Sequence, residues 1–294
     1  MNANWGLFVP TYKKKDIQIL EMLKKDKKLV INLCVRPEED DAHFYDFLKD
    51  QDRVNIIRLP YNLYDLGETR QAILDYCSEH NIKYCFQFDD GMTDVDDLDY
   101  LTDYDSRICS VFEHIVDIME HDVFSEQLAG FTFTKWNVLE AHPEQFKDRP
   151  YFTFFASQAY CINVEFAKQH NIRYGRLDVD GFEDASFYGD TIKAGGIWAG
   201  RRNIIVKGCI PNKIKDGGNH VDQSMKQLEE KYDRCNMLTL KHLNYMMGVS
   251  LQKRYRSHIG GYMSFLIWDL DYFYKVMIVD RNKNMKIIEK RFEV

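Results

Sequence analysis

A chain of 294 residues with 45% hydrophobic side chains, 19 Phe and 18 Tyr among them, is neither disordered nor too short for a large core. Its seven cysteines are scattered, odd in number and never spaced as Cys-x-x-Cys, which argues against a disulfide framework or a zinc site and for buried, reduced thiols. The net charge of −7 is split: residues 1–199 hold 21 Lys and Arg against 36 Asp and Glu, whereas 200–294 hold 18 against 10. Such segregation points the C-terminal part at an anionic partner, a basic solvated face being the plainer alternative. No apolar run is long enough to span a bilayer, and Met1–Thr11 lacks the charged-then-apolar layout of a secretion signal. A cytoplasmic protein without membrane insertion is expected.

The first ninety residues alternate short apolar strands with amphipathic helices, the pattern of a parallel sheet with crossover helices. Trp5–Val9 reads as a strand stopped by Pro10, and Asp16–Lys25 as a helix with Ile17, Leu20 and Leu23 on one face. Leu29–Val35 is nearly all apolar, as suits a strand buried on both faces. Val54–Leu59 is a third strand, Glu68–His80 a helix, and Tyr84–Phe88 a fourth strand that runs straight into acid. Beyond it come a helix over Ile108–Glu120, a strand over Leu128–Thr134 and a further segment, Phe152–Ile162. A helix over Ala185–Ala194 and a short strand over Asn203–Val206 follow. The tail reads as a helix, Asp222–Cys235, and a hairpin of Val276–Asp280 with Met285–Lys290.

The sharpest chemical signal is Phe86-Gln87-Phe88-Asp89-Asp90-Gly91. Adjacent carboxylates at the C-terminal end of a parallel strand stand where open α/β sheets bind ligands. Asp89 and Asp90 there can hold Mg²⁺ or Mn²⁺, which prefer oxygen ligands and leave room for phosphate oxygens. Gly91 lets backbone approach a ligand closely. A solvated strand end or a helix cap is the competing reading. Asp94, Asp96, Asp97 and Asp99 read mainly as a solvated acidic loop.

Other candidates fall in order around that pair. Pro10, Thr11 and Tyr12 make a turn at the first strand's edge, and Glu38 lies at the end of the second, both placed to meet a nucleotide. Arg70, in a first helical turn, suits a contact with diphosphate or base, or else a surface pairing with Glu68 or Asp75. Glu183 and Asp184 open a helix, as caps or as a general base, with Asp184 preferred as the base. Gly217-Gly218-Asn219-His220 forms a glycine turn ending in a histidine that could meet metal or diphosphate.

That order of motifs resembles the GT-A glycosyltransferase pattern. The resemblance implies a Rossmann-like, mixed but mainly parallel sheet flanked by helices, followed by a C-terminal helical and hairpin extension. It implies a catalytic domain over 1–220, with a nucleotide-sugar half at 1–100 and an acceptor half at 101–220, and a basic extension over 221–294. It also implies a nucleotide sugar as donor, a UDP-sugar above all, with Mn²⁺ or Mg²⁺. Thr69–Tyr76 running on to Gln87-Phe88-Asp89-Asp90, with Glu183-Asp184 and Gly217-Gly218-Asn219, is further similar to the TET/J-binding-protein-associated glycosyltransferases, found largely in phages. The pattern is broken at Phe86, where Trp is expected, and at Gly91, where Asn or Asp is. This narrower resemblance implies transfer to a hydroxymethylated pyrimidine, such as 5-hydroxymethylcytosine, in DNA. Arg201, Arg202 and the interleaved run Lys253-Arg254-Tyr255-Arg256 would then meet the nucleic acid. A polysaccharide or lipid-linked acceptor, or an inactive binding module, is the alternative; the choice between inversion and retention, and the oligomeric state, stay open.

Overall fold

The computed structural model describes residues 4–60, 65–99, 104–122, 124–136, 158–174, 183–208, 225–243, 249–256 and 261–269. Its strands are β1 (Trp5–Pro10), β2 (Ile31–Val35), β3 (Val54–Arg58), β4 (Tyr84–Phe88), β5 (Met92–Asp97), β6 (Leu128–Lys135), β7 (Ala159–Asn163) and β8 (Ile197–Gly208). They form one sheet in the order β3-β2-β1-β4-β7-β6-β8-β5. β7 runs antiparallel to both neighbours and β5 antiparallel to β8, while the other pairings are parallel. The expected α/β architecture, a mixed and mainly parallel sheet flanked by helices, is therefore present.

Each strand presents alternate residues to alternate faces, and each face has its own core. Leu7, Val9, Phe86, Phe88, Phe131 and Phe133 meet helix α4 (Arg107–His121) on one side. That helix buries Ile108, Val111, Phe112, Ile115 and Met119, a spacing that forms one stripe. Phe112 stacks on Phe86 with centroids 4.3 Å apart. On the other side Phe8, Cys34, Cys85, Tyr160 and Ile162 meet helix α3 (Leu66–Glu79) through Ala72, Ile73 and Cys77. Asp65 caps α3 by accepting the Glu68 amide at 2.7 Å. Six cysteines among the described residues are free and buried, as expected.

Three expectations need correction. The stretch Asp94–Asp97 is not a solvated loop but most of β5, with Asp94 and Asp97 buried. It is tolerated there because every carboxylate has a donor: Arg107 reaches Asp94 at 2.6 Å and Asp96 at 2.9 Å, and Asn203 reaches Asp97 at 2.5 Å. β8 starts at Ile197 rather than Asn203; a register shift opposite Phe133 and Thr134, where Arg201-Arg202-Asn203 interrupts the apolar run, hid its first half. The helix expected over Asp16–Lys25 is a 3-10 turn, Gln18–Glu21, followed by a short α1, Met22–Lys25.

Helix α2 (Pro37–Asp41) follows β2, α5 (Val164–Gln169) follows β7, and α6 (Glu183–Lys193) precedes β8. The C-terminal helix α7 spans Met225–His242, longer than the expected Asp222–Cys235. It docks on α6 where Gly189 gives it room, since a Cβ there would lie 2.2 Å from Leu243 Cδ2. A hairpin of β9 (Val249–Arg256) and β10 (Gly261–Trp268) follows. The hairpin expected over Val276–Lys290 lies outside the described residues. Among the described residues no helix is long and apolar enough to cross a membrane.

Candidate active site

β2 and β3 lie to one side of β1 and β4 lies to the other, so the chain's winding reverses between β1 and β4. At such a switch point the C-terminal ends of two parallel strands open a crevice, the usual ligand site of this architecture. Pro10 ends β1 and Thr11 and Tyr12 leave from it; Asp89 and Asp90 leave from β4. These expected residues are thus brought to one sheet edge.

Alternation then divides the carboxylates. Cys85 and Gln87 face α3, and Asp89 continues that face; Phe86 and Phe88 face the opposite core, and Asp90 continues that one. Asp89 Oδ1 accepts from Arg70 Nη2 at 3.1 Å. Asp90 Oδ1 lies 2.5 Å from Lys14 Nζ, and Asp90 Oδ2 accepts from Thr11 Oγ1 at 3.4 Å.

Arg70 is the hub of the site. It sits in the second turn of α3, only 3% exposed, and does not pair with Glu68 or Asp75 on the surface. Its guanidinium donates to the Tyr160 hydroxyl, and its Nε lies 3.5 Å from Glu183 Oε1. Tyr160 in turn meets the Tyr174 hydroxyl at 2.9 Å and donates to Gln87 Oε1 at 3.3 Å. Burial opposes the charge on Arg70, but Tyr160, Glu183 and Asp89 together outweigh it and hold the pKa well above the ordinary value. Burial pushes Asp89 up to about 6, with Asp90 adding to the shift and Arg70 opposing it.

Glu183 and Asp184 form the first turn of α6 and play different parts. Glu183 is buried against Arg70, whereas the Asp184 carboxylate accepts the Ala185 amide at 2.9 Å. Burial and the neighbouring Glu183 push Asp184 well above the usual carboxylate range.

At the β1 edge, Arg36 lies 4.2 Å over the Tyr12 ring. Glu38 is exposed on α2, and the next residue, Glu39, is the buried one. Its carboxylate accepts from the Lys13 amide at 2.6 Å, the Arg36 amide at 3.1 Å and the Tyr45 hydroxyl at 3.0 Å. One side chain so ties the loops after β1 and β2 together. Lys14, Glu39, Gln87, Tyr160 and Tyr174 were not among the expected site residues. Only Gln87, a polar residue inside an apolar strand, left a visible cue in the sequence.

The remaining expected residues are placed less fully. Gly217, Gly218, Asn219 and His220 lie outside the described residues. Arg201 is half-buried in β8, its carbonyl accepting from Thr134 Oγ1 at 3.1 Å, and Arg202 follows it in the strand. Lys253 is exposed and 3.4 Å from Asp233. The backbones of Arg254, Tyr255 and Arg256 pair with Met263, Tyr262 and Gly261. Around Gly91 the chain itself is not crowded: a Cβ there would have its nearest neighbour at 4.0 Å.

Among the described residues no three His, Cys, Asp or Glu side chains converge into a metal cage. The acidic pair fits the other kind of divalent site, in which one or two carboxylates hold the ion and phosphate oxygens and water complete its shell. A cation already stands on one of these carboxylates, in the form of the Lys14 ammonium.

No protein-family model and no curated protein matches the chain. Among solved structures it is similar to glucosyl-3-phosphoglycerate synthase from Mycobacterium tuberculosis, in complex with Mn²⁺, uridine diphosphate and phosphoglyceric acid. That likeness has 9% identity and a TM-score of 0.47 over 92% of this chain and 90% of that one. It is similar also to GalNAc-T7 with UDP, GalNAc and Mn²⁺, at 12% identity and a TM-score of 0.47, covering 81% of this chain and 47% of that chain. Likenesses this loose transfer no residue roles, which rest on the chain's own geometry.

Proposed function

We propose that this chain is a metal-dependent glycosyltransferase that moves a sugar from a nucleotide sugar, in the first instance a UDP-sugar, to a hydroxyl acceptor. The observation that supports it best is the meeting of Asp89, Arg70 and Glu183 at the switch-point crevice, with Asp90 and Thr11 on its other wall. A Mn²⁺ or Mg²⁺ held by Asp89 and Asp90, with His220 as a further ligand or diphosphate contact, would act as a Lewis acid on the departing diphosphate. Pro10, Thr11 and Tyr12, with Glu38 nearby, receive the nucleotide at the β1 edge, and Gly217, Gly218 and Asn219 contribute to binding the donor.

In this reading Asp184 takes the proton from the attacking hydroxyl. Burial and the neighbouring Glu183 raise its proton affinity above that of an ordinary surface carboxylate, the direction that favours accepting a proton. Glu183 stays with Arg70 and fixes its position, and serves as the fallback base.

The acceptor we infer is a 5-hydroxymethylpyrimidine, 5-hydroxymethylcytosine first, in DNA, in a phage-type modification acting in a host cytoplasm. The basic balance of residues 200–294 and the resemblance of the Thr69–Tyr76 and Glu183-Asp184 stretches support it. Residues 1–220 would then be the catalytic unit and 221–294, with Lys253, Arg254, Tyr255 and Arg256, an extension that meets phosphates alongside Arg201 and Arg202.

The test is to incubate the protein with hydroxymethylcytosine DNA, Mn²⁺ and a panel of nucleotide sugars, then read the nucleosides by mass spectrometry. A nucleoside heavier by one sugar supports the reading. Transfer to a saccharide and never to DNA overturns the acceptor, and no consumption of any donor overturns the enzyme.

A further inference from the structure

We propose that Lys14 is a built-in, releasable counter-ion for Asp90, which an entering divalent cation must displace. This rests on the metal reading above and adds to it which of the site's two cations gives way.

The acidic pair is neutralised from both sides, by Arg70 on Asp89 and by Lys14 on Asp90, and the two cations are held very differently. Arg70 is 3% exposed and engages Asp89, Glu183 and Tyr160 at once. Removing it would strand the buried carboxylate of Glu183, which is strongly unfavourable, and leave the partly exposed Asp89 without its cation. The Lys14 side chain is 30% exposed and its ammonium lies 2.5 Å from Asp90 Oδ1. An ammonium on a flexible four-carbon stem regains its hydration when it swings out, so its release costs little.

The Asp90 carboxylate itself is held still while the lysine leaves. Thr11 Oγ1 donates to its other oxygen, Thr11 lies 3.4 Å from the Tyr45 hydroxyl, and the Asp90 carbonyl accepts the Ile19 amide at 3.0 Å. The oxygen that Lys14 covers thus stays in place for a metal ion, a harder and more highly charged partner for carboxylate than an ammonium. Lys14 also belongs to the loop that carries Thr11 and Tyr12. Freeing it places a solvated positive charge beside the metal position on the nucleotide's side of the crevice, so metal entry and the β1-edge loop are coupled through one side chain.

The test is a titration of the purified full chain with Mn²⁺ alone, without nucleotide, following free Mn²⁺ by electron paramagnetic resonance. Lys14→Met removes the competitor and is expected to bind Mn²⁺ about fivefold more tightly than the parent, the scale of a partly exposed ion pair. Lys14→Gln is the second variant should Lys14→Met not fold, with the same expectation. Lys14→Arg keeps the charge and is expected to bind no more tightly than the parent. Equal or weaker Mn²⁺ binding by Lys14→Met and Lys14→Gln overturns the role of Lys14 and leaves the metal site standing. Absence of Mn²⁺ binding in every form, with uridine diphosphate added as well, overturns the metal reading and this inference with it.

Discussion

Arg70 on α3 and Glu183 at the start of α6 stand far apart in the chain and 3.5 Å apart in the fold, both buried. That ion pair fixes α6 against α3 and brings the proposed acceptor carboxylates to the edge where β4 delivers Asp89. Arg70→Met leaves Asp89 and Glu183 without their cation. A loss of roughly 3–5 kcal/mol of folding stability is expected, the usual cost of breaking a buried pair. Urea denaturation of the purified variant measures it, and a loss below about 1 kcal/mol, the scale of a surface pair, would show that Arg70 holds nothing together.

Asp90→Asn keeps the size of the side chain and removes the charge that meets Lys14 and, in the proposed reaction, the metal. Transfer and Mn²⁺-dependent donor binding should both vanish while the thermal unfolding midpoint stays within a few degrees. Calorimetric titration of uridine diphosphate with and without Mn²⁺ is the check. Undiminished turnover at limiting Mn²⁺ would remove Asp90 from the metal site.

Asp184→Asn separates chemistry from binding. As the proposed general base, its loss should lower kcat by about 10²–10⁴-fold while donor affinity changes little. Single-turnover kinetics alongside a donor-binding titration read the two separately. A variant that loses donor binding and keeps its chemical step would assign Asp184 to the nucleotide instead.

Gly189→Ala probes how the C-terminal part is attached. The added Cβ meets Leu243, and overpacking of this kind costs about 1–3 kcal/mol. Leu243→Ala in the same chain should recover part of that loss. Thermal melts of the two single variants and the double variant decide it: additive losses would mean that α7 does not dock on α6 through this contact.

Binding to DNA, if Arg254 and Arg256 meet phosphates, should weaken steeply with salt because neutralised phosphates release counterions. Arg254→Glu with Arg256→Glu should raise the apparent KM for hydroxymethylated DNA and leave hydrolysis of the donor to water nearly unchanged. Equal modification of DNA by parent and variant at moderate salt would return this strand to the solvated surface.

The sequence by itself determined the layered α/β fold and the end of β4 as its chemical edge. Apolar period and chain order are local properties, so Tyr84–Phe88 could be read as a strand and Asp89-Asp90 as its terminus without any partner in view. Buried pairing is not local. Arg70 could be read as a contact for diphosphate or base, or as a surface partner of Glu68 or Asp75, but not as a buried hub, because its partners Asp89, Glu183 and Tyr160 come from three other elements. Asp94 and Asp97 looked like solvated acid because Arg107 and Asn203, which make a strand of them possible, lie elsewhere in the chain. Glu38 and Glu39 were indistinguishable until α2 turned one to solvent and the other onto three donors. Only the tertiary structure decided these cases. The free energy of a buried charge is set by which donors reach it in space, and adjacency in sequence says little about that.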